Sequence, residues 1–420
     1  MTTRPRSLPL DFDASAAAPT QSEPLGLEKH LMRKLLAAMG HPPIAVRLWD
    51  GEELSRDPAA AEVRMNIRTR AALWGLLIHP DLRFGDSYSD GSIEVEGELL
   101  RLVEYGSTRQ ARFLRDGGWF ATLRDAVLPG PRENTPEGSK QNIHHHYDLS
   151  NDFYRLWLDR AHMQYTCAYF ARPDMTIEEA QTAKLEHVCR KLRLKPGDTV
   201  VEAGCGWGGL ARYMAERHGA RVRAYNISHE QVAFATQKAK EQGLSDRVQY
   251  FEDDYRNVTG DCDVFVSVGM LEHVGVGNYG TLGSVVNRCL RPDGRALIHS
   301  IGRNSPRLMS RWIERRIFPG AYPPTLREMA AIFEPSNFSV LDIENLRLHY
   351  ALTLEAWLAR FEENRARVLE MFDERFLRAW RLYLTGSIVA FRLGDLQLFQ
   401  IVFQRGRSND VPATRAHLYK

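Results

Sequence analysis

The sequence predicts an α/β protein in which a seven-stranded, Rossmann-like sheet follows a smaller α+β domain. A buried strand at 199–204 ends in glycines and runs directly into a helical pattern at 207–218. Further strands near 221–226, 248–252, 263–268 and 295–300 alternate with helices near 228–242 and 280–290. Because alternating strands and helices form parallel sheets, we expect one large sheet, completed by a last strand at 397–403.

The length and composition suit two folded domains. The chain has 420 residues, of which 44% are hydrophobic, so it can bury a large core. The formal net charge is only +2, and we therefore expect no nucleic-acid partner. The longest apolar run, 71–78, is too short for a membrane span, which takes about 20 residues.

Cysteine usage and the first residues predict a soluble cytoplasmic protein. The five cysteines are an odd number without a C-x-x-C pair, which argues against a zinc site or a disulfide framework. Residues 1–25 lack the apolar segment of a secretory signal. His144, His145 and His146 are adjacent and point in different directions, so we expect no metal site there.

Composition divides the chain into five segments. Residues 1–25, rich in Pro, Ser, Ala and Thr, predict a disordered lead-in, and residues 407–420 predict a flexible tail. Residues 129–141, with three prolines and two glycines, form the predicted linker. This linker separates an N-terminal domain at 26–128 from a larger domain at 142–406.

The N-terminal domain begins with an amphipathic helix. Leucines and methionines recur at helical spacing between Leu27 and Met39, opposite a basic face that includes Lys29 and Arg33. Such a helix can lie on an anionic membrane surface, but the same stripe can pack into its own domain, which we favour. Strand-like segments near 44–48, 64–67 and 91–95 follow.

A glycine turn joins the first strand of the larger domain to its helix. Gly204, Gly206 and Gly209 satisfy G-x-G-x-x-G, the dinucleotide fingerprint. Gly204, Gly206 and Gly208 equally satisfy G-x-G-x-G, which suits S-adenosylmethionine. Glycines let a ligand approach the backbone, and the helix N-terminus offers it free N–H groups. A turn that only connects the two elements is a third interpretation.

The ends of the next two strands favour a methyl donor over a dinucleotide. A dinucleotide site needs an acid after the second strand to hold the ribose, and that position is Asn226. Asn226, Ser228 and Gln231 can still hydrogen-bond a ribose or a methionine tail. After the third strand, a carboxylate such as Asp254 can accept an adenine amino proton, with Tyr255 against the ring.

Two polar residues follow the fourth and fifth strands. Glu272 comes after the strand at 264–268, and His299 ends the strand at 295–298. Ligands of open α/β sheets bind beyond the carboxyl ends of the strands, so we expect both side chains in one cleft. A buried glutamate is costly without a partner, which makes a purely structural ion pair the alternative.

Residues 303–318 predict a helix with a basic face. Arg303, Arg307, Arg311 and Arg315 lie four residues apart, and Trp312 belongs to the opposing apolar stripe. We predict that Arg307, Arg311, Trp312 and Arg315 contact phospholipid, guanidinium to phosphate and apolar side to acyl chain. A solvated basic face on a surface helix is the alternative.

A series of motifs occupies residues 146–154, 165–170, 204–209, 228–231, 267–275, 299–302, 318–320 and 349–354. In order and spacing they resemble those of the cyclopropane-fatty-acyl-phospholipid synthases and the related mycolic acid cyclopropane synthases. The resemblance runs from about residue 142 to residue 405. The N-terminal domain resembles, more weakly, the extra lipid-facing domain of the bacterial phospholipid-acting members. Tyr225, Asn226 and Leu271 depart from the family pattern without removing a catalytic group.

The resemblance implies an S-adenosylmethionine methyltransferase fold and a set of donor-binding residues. These are Tyr165, Thr166, Glu202, Gly204, Gly206, Gly208, Asn226, Ser228, Gln231, Asp254, Tyr255 and Arg256. It also implies an active-site bicarbonate, whose ligands are Cys167, Glu272, His299, Ile301 and Tyr350. The cysteine and the isoleucine would act largely through backbone groups.

The implied activity is cyclopropanation of unsaturated acyl chains of membrane phospholipids. Methyl transfer to a cis double bond leaves a carbocation, and bicarbonate removes a proton so that the ring closes. We expect aromatic faces at Tyr165, Tyr169 and Phe170 to stabilise the cation. The predicted enzyme is cytoplasmic and associates peripherally with the phospholipid bilayer at the inner face of the membrane. A homodimer is compatible with this prediction.

Two alternatives retain part of this interpretation. A methyltransferase of the same fold would make a methyl- or methylene-branched lipid or methylate a small amine. A catalytically silent protein would only bind lipid. The intact glycine turn and the set Cys167, Glu272, His299 and Tyr350 argue against a silent protein. The N-terminal domain and the arginines of 303–318 favour lipid over an amine.

Overall fold

The structure, a computed structural model, describes residues 23–116 and 150–419, and the side chains of 23–107 and 150–419. The predicted linker at 129–141, the three adjacent histidines and most of the lead-in lie outside the described residues. Two compact units are formed. The first combines 23–116 with Ser310–Ile317 and Leu358–Leu393, and the second combines 150–309, Phe318–Trp357 and 394–419.

The first unit contains a four-stranded sheet and the helices that cover it. The strands, in the order β2-β1-β3-β4, are β1 (Ile44–Arg47), β2 (Glu53–Leu54), β3 (Val63–Ile67) and β4 (Ile93–Glu96). The helices are α1 (Gly26–Ala38), α2 (Arg70–Ile78), α3 (Pro80–Asp90), α4 (Leu99–Asp116), α10 (Arg311–Arg316), α13 (Arg365–Met371) and α14 (Glu374–Leu393). This agrees with the predicted α+β character.

Helix α1 packs into its own unit. Met32 and Leu36 are buried in the core formed with β1, β3 and α2. Glu28, also buried, pairs with Arg70 at 2.8 Å and accepts a hydrogen bond from Trp74 Nε1 at 2.9 Å. The central part of the apolar stripe is therefore covered by protein, as the favoured interpretation requires.

The second unit is built on the predicted seven-stranded sheet, in the order β10-β11-β9-β8-β5-β6-β7. The strands are β5 (Thr199–Ala203), β6 (Arg221–Asn226), β7 (Val248–Glu252), β8 (Cys262–Val268), β9 (Leu290–Gly302), β10 (Phe338–Asn345) and β11 (Gln397–Arg405). β11 is antiparallel to β9 and β10, and the other neighbours are parallel. The predicted fold class is confirmed.

Helices cover both faces of this sheet, because its central strands are apolar on both sides. They are α5 (Asn151–Arg155), α6 (Ile177–Lys191), α7 (Gly209–His218), α8 (His229–Glu241), α9 (Tyr279–Cys289), α11 (Leu326–Phe333) and the first part of α12 (Arg347–Glu363). Val201 and Val200 point into separate cores on the two faces. The strand order reverses between β5 and its neighbours β6 and β8, where ligands of such sheets bind.

Three local features differ from the sequence expectations. Strand β10 was missed, because its residues alternate only partly between apolar and polar. The helix expected at 303–318 covers only Arg311–Arg316. In the tail expected to be flexible, Leu418 is buried and Arg415 pairs with Asp342, so long-range packing orders this segment.

Candidate active site

The glycine turn combines left-handed backbone with one open position. Gly204, Gly206 and Gly208 have φ of 80°, 53° and 72°, a region that L side chains rarely adopt. A Cβ on Gly208 would lie 2.4 Å from the Tyr250 hydroxyl oxygen, whereas a Cβ on Gly206 would meet nothing within 4 Å. Gly208 is thus required for packing, and Gly206 leaves room for a ligand beside the backbone.

A cavity opens at this turn and collects most of the predicted donor-binding residues. The predicted residues that line it are Tyr165, Thr166, Glu202, Gly204, Gly206, Asn226, Gln231, Asp254, Tyr255 and Arg256. The exceptions are Gly208 and Ser228. The Ser228 side chain instead caps α8 by accepting a hydrogen bond from Gln231 N at 3.4 Å.

Polar side chains at the ends of β6 and β7 are held before any ligand binds. Asn226 Nδ2 donates to Gln231 Oε1 at 2.8 Å. Asp254 accepts from the backbone N–H of Arg256 at 2.9 Å and pairs with its guanidinium at 3.2 Å. The buried hydroxyl of Tyr255 has no hydrogen-bond partner among the described residues. These groups can bind a ribose, an adenine or a methionine tail.

Other cavity residues were not assigned to the donor site from the sequence. They include Met163, Gln164, Trp207, Tyr225, Met270 and His273. Trp207, Met270 and His273 lie inside the motifs and Gln164 lies next to one, so motif position was the available signal. Their contact with the cavity depends on how the loops fold back, which periodicity does not report.

Glu272 lies in a short 3₁₀ helix after β8 and is buried. Its Oε1 accepts a hydrogen bond from the backbone N–H of Ile301 at 2.6 Å, while its Oε2 has no hydrogen-bond partner among the described residues. Burial raises the pKa of this carboxyl to about 7, because desolvation outweighs the hydrogen bonds it accepts. Among the described residues we find no cation paired with Glu272, which argues against the alternative of a purely structural ion pair.

His299 on β9 is also buried, and only one of its two ring nitrogens has a hydrogen-bond partner among the described residues. Gln400 Nε2 lies 3.0 Å from His299 Nδ1, and an amide donor there makes Nδ1 the acceptor and leaves the proton on Nε2. Nε2 has no hydrogen-bond partner among the described residues. Burial lowers the pKa of the imidazole well below its usual value, so the ring is neutral. The neutral ring therefore has an N–H group that can donate to a ligand.

Backbone hydrogen bonds connect the remaining predicted residues to this pair. Ile301 pairs with Leu398 on β11, whose carbonyl accepts from Leu346 N at 2.8 Å. The Leu346 carbonyl accepts from Tyr350 N at 3.2 Å and lies 3.9 Å from Cys167 Sγ. Contacts thus lead from Ile301 through Leu398 and Leu346 to Tyr350 and Cys167, and the roles of all five residues as anion ligands stay predictions.

Cys167 is not a nucleophile in this setting. Its thiol is fully buried and donates to the Ala168 carbonyl at 3.1 Å. Burial raises the pKa of the thiol far above its usual value, so the thiolate is not available at neutral pH.

Tyr169 does not present a free ring face, contrary to the expectation that it stabilises a cation. Its ring is stacked between His187, with ring centroids 4.3 Å apart, and His349, at 4.9 Å. Tyr165 lines the cavity. Its ring centroid lies within 5.4 Å of the ring centroids of Tyr154, Trp157 and Trp357. Of these two tyrosines, only Tyr165 borders the cavity.

The arginines expected on one helix face have separate surroundings. Arg303 is buried and donates to the carbonyls of Arg307 and Leu308. Arg307 pairs with Asp395 at 3.2 Å, and Arg311 lies 3.8 Å from Asp81. Because the segment before Ser310 is not helical, a spacing of four residues does not align these side chains.

Trp312 packs inside the first unit, contrary to the prediction that it faces lipid. The ring is only 4% exposed and lies against Gly85, where a Cβ would come within 2.4 Å of it. Arg315 remains exposed and Arg316 pairs with the buried Asp86 at 3.0 Å.

The fold and the cavity define a class: the protein is an S-adenosylmethionine-dependent methyltransferase. Residues 134–401 match the family described as mycolic acid cyclopropane synthetase, and residues 31–117 match a domain of unknown function, DUF7884. The chain therefore belongs to the mycolic acid cyclopropane synthetase family, as the motif resemblance predicted.

Curated relatives and a solved structure agree with this assignment. A probable fatty acid methyltransferase of Pseudomonas putida is 35% identical, covering 90% of this chain and 97% of the relative. The cyclopropane-fatty-acyl-phospholipid synthase of Escherichia coli K12 is 42% identical, covering 64% of this chain and 69% of the relative. Mycolic acid cyclopropane synthase CmaA1 complexed with SAH and CTAB has a TM-score of 0.60 and 30% identity, covering 67% of this chain and 100% of that one.

Proposed function

We propose that the enzyme forms cyclopropane rings on the unsaturated acyl chains of membrane phospholipids, with S-adenosylmethionine as the source of the methylene carbon. The observation that carries the proposal is the pair of unpartnered buried atoms, Glu272 Oε2 and His299 Nε2, in the unit that holds the glycine-turn cavity. The 42% identity to the cyclopropane-fatty-acyl-phospholipid synthase of E. coli supports the same substrate class.

The cavity suits the methyl donor. Gly206 leaves open space beside the backbone, and the unpartnered hydroxyl of Tyr255 and the amide pair of Asn226 and Gln231 offer polar contacts. When bound, S-adenosylmethionine supplies an electrophilic methyl group on a sulfonium. The residues of this chain bind and orient it, and orientation supplies much of the rate of such a reaction.

The Glu272–His299 pair suits a small oxyanion such as bicarbonate. His299 offers a neutral N–H donor, and Glu272, with its pKa near 7, can donate or accept a hydrogen bond at neutral pH. A bicarbonate held there would supply a base close to the reacting chain. Gln400 and the Ile301 backbone N–H fix the imidazole and the carboxyl, so neither has to reorganise.

Aromatic and apolar burial supports the choice of an alkene substrate. Tyr165 borders the cavity inside a group of rings that includes Trp157 and Trp357, both buried. Such a wall excludes water, which would otherwise capture a carbocation on the acyl chain, and its ring faces stabilise positive charge. The CmaA1 complex with CTAB, a molecule with a long alkyl chain, is consistent with an acyl-binding site in this family.

We also propose that the enzyme works at the cytoplasmic face of the membrane as a peripheral protein. Within the described part of the chain, no helix is long and apolar enough to cross a bilayer. Arg307, Arg311 and Arg315 are at least partly exposed and remain the proposed contacts for anionic head groups. The buried Trp312 is not among them.

A second candidate product is a methyl- or methylene-branched acyl chain. It is favoured by the probable fatty acid methyltransferase of P. putida, which aligns over 90% of this chain, whereas the E. coli synthase aligns over 64%. Both products begin with methyl transfer to an alkene, which leaves a cation on the neighbouring chain carbon. In ring closure the new methyl group loses a proton and its C–H electrons form the C–C bond of the ring. In branching a new C=C bond forms instead: loss of a proton from the next chain carbon leaves a methyl branch, and a 1,2-hydride shift followed by loss of a methyl proton leaves a methylene branch.

The test is incubation of the enzyme with S-adenosylmethionine and vesicles of a monounsaturated phospholipid, followed by mass and NMR analysis of the fatty acids. Cyclopropanation predicts a gain of one CH2, loss of olefinic protons and new upfield ring protons. A vinylidene or methyl-doublet signal without ring protons would favour the branched product. An unchanged acyl chain would contradict both, provided that the enzyme binds S-adenosylhomocysteine.

A further inference from the structure

Residues 162–167, here called the strap, form one wall of the donor cavity. Gln164, Tyr165 and Thr166 line the cavity, and the strap ends at Cys167, whose Sγ lies 3.9 Å from the Leu346 carbonyl. Met163 has a φ of 53°, so the strap bends sharply where it enters the cavity. Two sets of contacts from buried polar side chains hold it in this shape.

The first set of contacts is made by the side chain of Asp159. Its two carboxylate oxygens accept hydrogen bonds from the backbone N–H groups of His162 and Gln164, both at 2.7 Å. Asp159 is fully buried, so these two donors are what compensates for its desolvation.

The second set of contacts comes from side chains of helix α6. Gln181 Nε2 donates to the Thr166 carbonyl at 2.8 Å. Lys184 Nζ donates to the Gln164 side-chain carbonyl and to Thr166 Oγ1, the latter at 2.9 Å. Lys184 is 0% exposed, and its ammonium therefore bonds the side chains of two cavity residues from behind.

The charges around Lys184 match this arrangement. Burial lowers the pKa of Lys184 to about 8, and the attraction of Asp159 is the largest effect that opposes it. The ammonium form thus still predominates at neutral pH. Glu202, at the end of β5, lines the same cavity, but burial raises its pKa to about 8, so it is largely protonated at neutral pH and adds little negative charge.

We infer that Lys184 is a positioning residue for the methyl-donor site: its ammonium sets the strap so that Gln164 and Thr166 meet the donor. The inference rests on the proposed donor site but not on the identity of the lipid. Without the ammonium, Gln164 and Thr166 lose their common donor, and the wall they form is no longer fixed before the ligand arrives.

A matched control lies on the same helix. Lys191 is also buried, and it pairs with Glu344 at 2.7 Å. Glu344 keeps a second partner, His187, at 2.7 Å, and neither residue lines the donor cavity. Lys191→Met therefore removes a buried ammonium from α6 without changing a contact to the strap. Its effect measures how much S-adenosylhomocysteine binding is weakened by loss of helix stability alone.

The experiment is a titration of the full-length chain with S-adenosylhomocysteine by calorimetry, for wild type, Lys184→Met, Lys191→Met, Thr166→Val and Lys184→Met/Thr166→Val. We expect Lys184→Met to weaken binding by about tenfold to hundredfold, the loss of a charged hydrogen bond, and to raise KM for S-adenosylmethionine more than it lowers kcat. Lys191→Met should bind as wild type does. The loss in the double variant should be smaller than the sum of the two single losses, because the hydrogen bond between Lys184 and Thr166 is removed in both.

Wild-type affinity in a folded Lys184→Met, or equal losses in Lys184→Met and Lys191→Met, would overturn the inference. If Lys184→Met does not fold, Thr166→Val and Thr166→Ser decide, since serine keeps the acceptor for Lys184 and valine removes it. Equal affinity of these two variants would then overturn it. A wild-type chain that does not bind S-adenosylhomocysteine would instead remove the proposed function.

Discussion

At the scale of single residues, the proposed reaction centre contains two buried polar atoms without a hydrogen-bond partner among the described residues. These atoms are Glu272 Oε2 and His299 Nε2. Each such atom costs about 1–3 kcal/mol when nothing binds it. A ligand that accepts from His299 and meets Glu272 would recover that free energy, and this is the reason for proposing the pair as a binding site.

Replacing Glu272 separates chemistry from donor binding. Glu272→Ala removes a ligand of the proposed anion but no residue that lines the donor cavity. We expect product formation to fall by at least about a hundredfold, as loss of a positioned base does. S-adenosylhomocysteine affinity, measured by calorimetry, should change little. An equal loss of affinity would assign Glu272 to the donor site instead.

Stability should fall with rising pH because of the same carboxyl. The pKa of Glu272 is raised from 4.5 to about 7, so its contribution to the free energy of unfolding is complete below pH 4.5 and is lost as pH rises through about 7. Glu272→Gln stays neutral and should lose less stability in that window. Urea unfolding of both proteins at about pH 5 and about pH 8 measures the difference. Parallel pH curves would contradict the raised pKa.

The glycine turn offers a pair of matched substitutions. Gly206→Ala adds a Cβ in open space at a φ of 53°, and we expect about 1–2 kcal/mol of strain together with weaker S-adenosylhomocysteine binding. Gly208→Ala puts the Cβ 2.4 Å from the Tyr250 hydroxyl oxygen, so it should lower the melting temperature further. Thermal unfolding and calorimetry distinguish the two, and an unstable Gly206→Ala with intact binding would reverse the assignment.

At the scale of elements, residues 303–318 illustrate why spacing alone is insufficient. Arginines four residues apart share a face only if the whole segment is helical, and here helix α10 begins at Arg311. Arg303 turns inward to backbone carbonyls, while Arg307 and Arg311 lie near different aspartates. The apolar residues of the same segment, Trp312 above all, belong to a core.

Exposed arginines of this segment should still contribute to membrane binding. We expect Arg307→Gln/Arg311→Gln/Arg315→Gln to weaken binding to anionic phospholipid vesicles, most strongly at low salt, where charge attraction is least screened. Arg316→Gln, which breaks the pair with Asp86, is a control for stability rather than for lipid contact. Sedimentation with vesicles measures the effect, and unchanged binding would remove these residues from the lipid surface.

At the scale of the whole molecule, sequence order and spatial grouping differ. Residues 310–317 and 358–393 fold with the N-terminal stretch although they follow the glycine turn by more than a hundred residues. Helix α12 passes from the second unit to the first after Trp357. The first unit is therefore completed by segments that the sequence assigned to the larger domain.

A chain that begins at residue 150 should fold poorly. It retains α10 and α14 but lacks α3 and α4, the helices against which they pack, and so exposes buried rings such as Trp312, Phe376 and Trp380. Apolar surface left in water costs about 25 cal/mol per Å², and we expect aggregation or a lower melting temperature. Size-exclusion chromatography and thermal unfolding test this. A monodisperse, cooperatively unfolding product would show that these helices are stable without the N-terminal stretch.

Much of the second unit could be predicted, because local pattern and local structure coincide there. The glycine turn, the strands from β5 to β9 and the polar residues after them follow directly from the alternation of apolar runs and turns. The first strand's turn residues and the residues after β6 and β7 accordingly line one cavity. The sequence does not predict strand β10, because its pairing partner, β11, lies far along the chain and its own alternation of apolar and polar residues is weak.

By itself, then, the sequence determined the fold class, the family and the carboxyl ends of the strands at which a ligand site is expected, since these depend on short-range periodicity and motif spacing. Only the tertiary structure decided that Trp312 is buried, that Tyr169 is enclosed between two histidines, and that Lys184 bonds the side chains of two cavity residues. Those features depend on which distant segments meet, and burial and hydrogen-bond partners are set by that meeting rather than by neighbours in the chain.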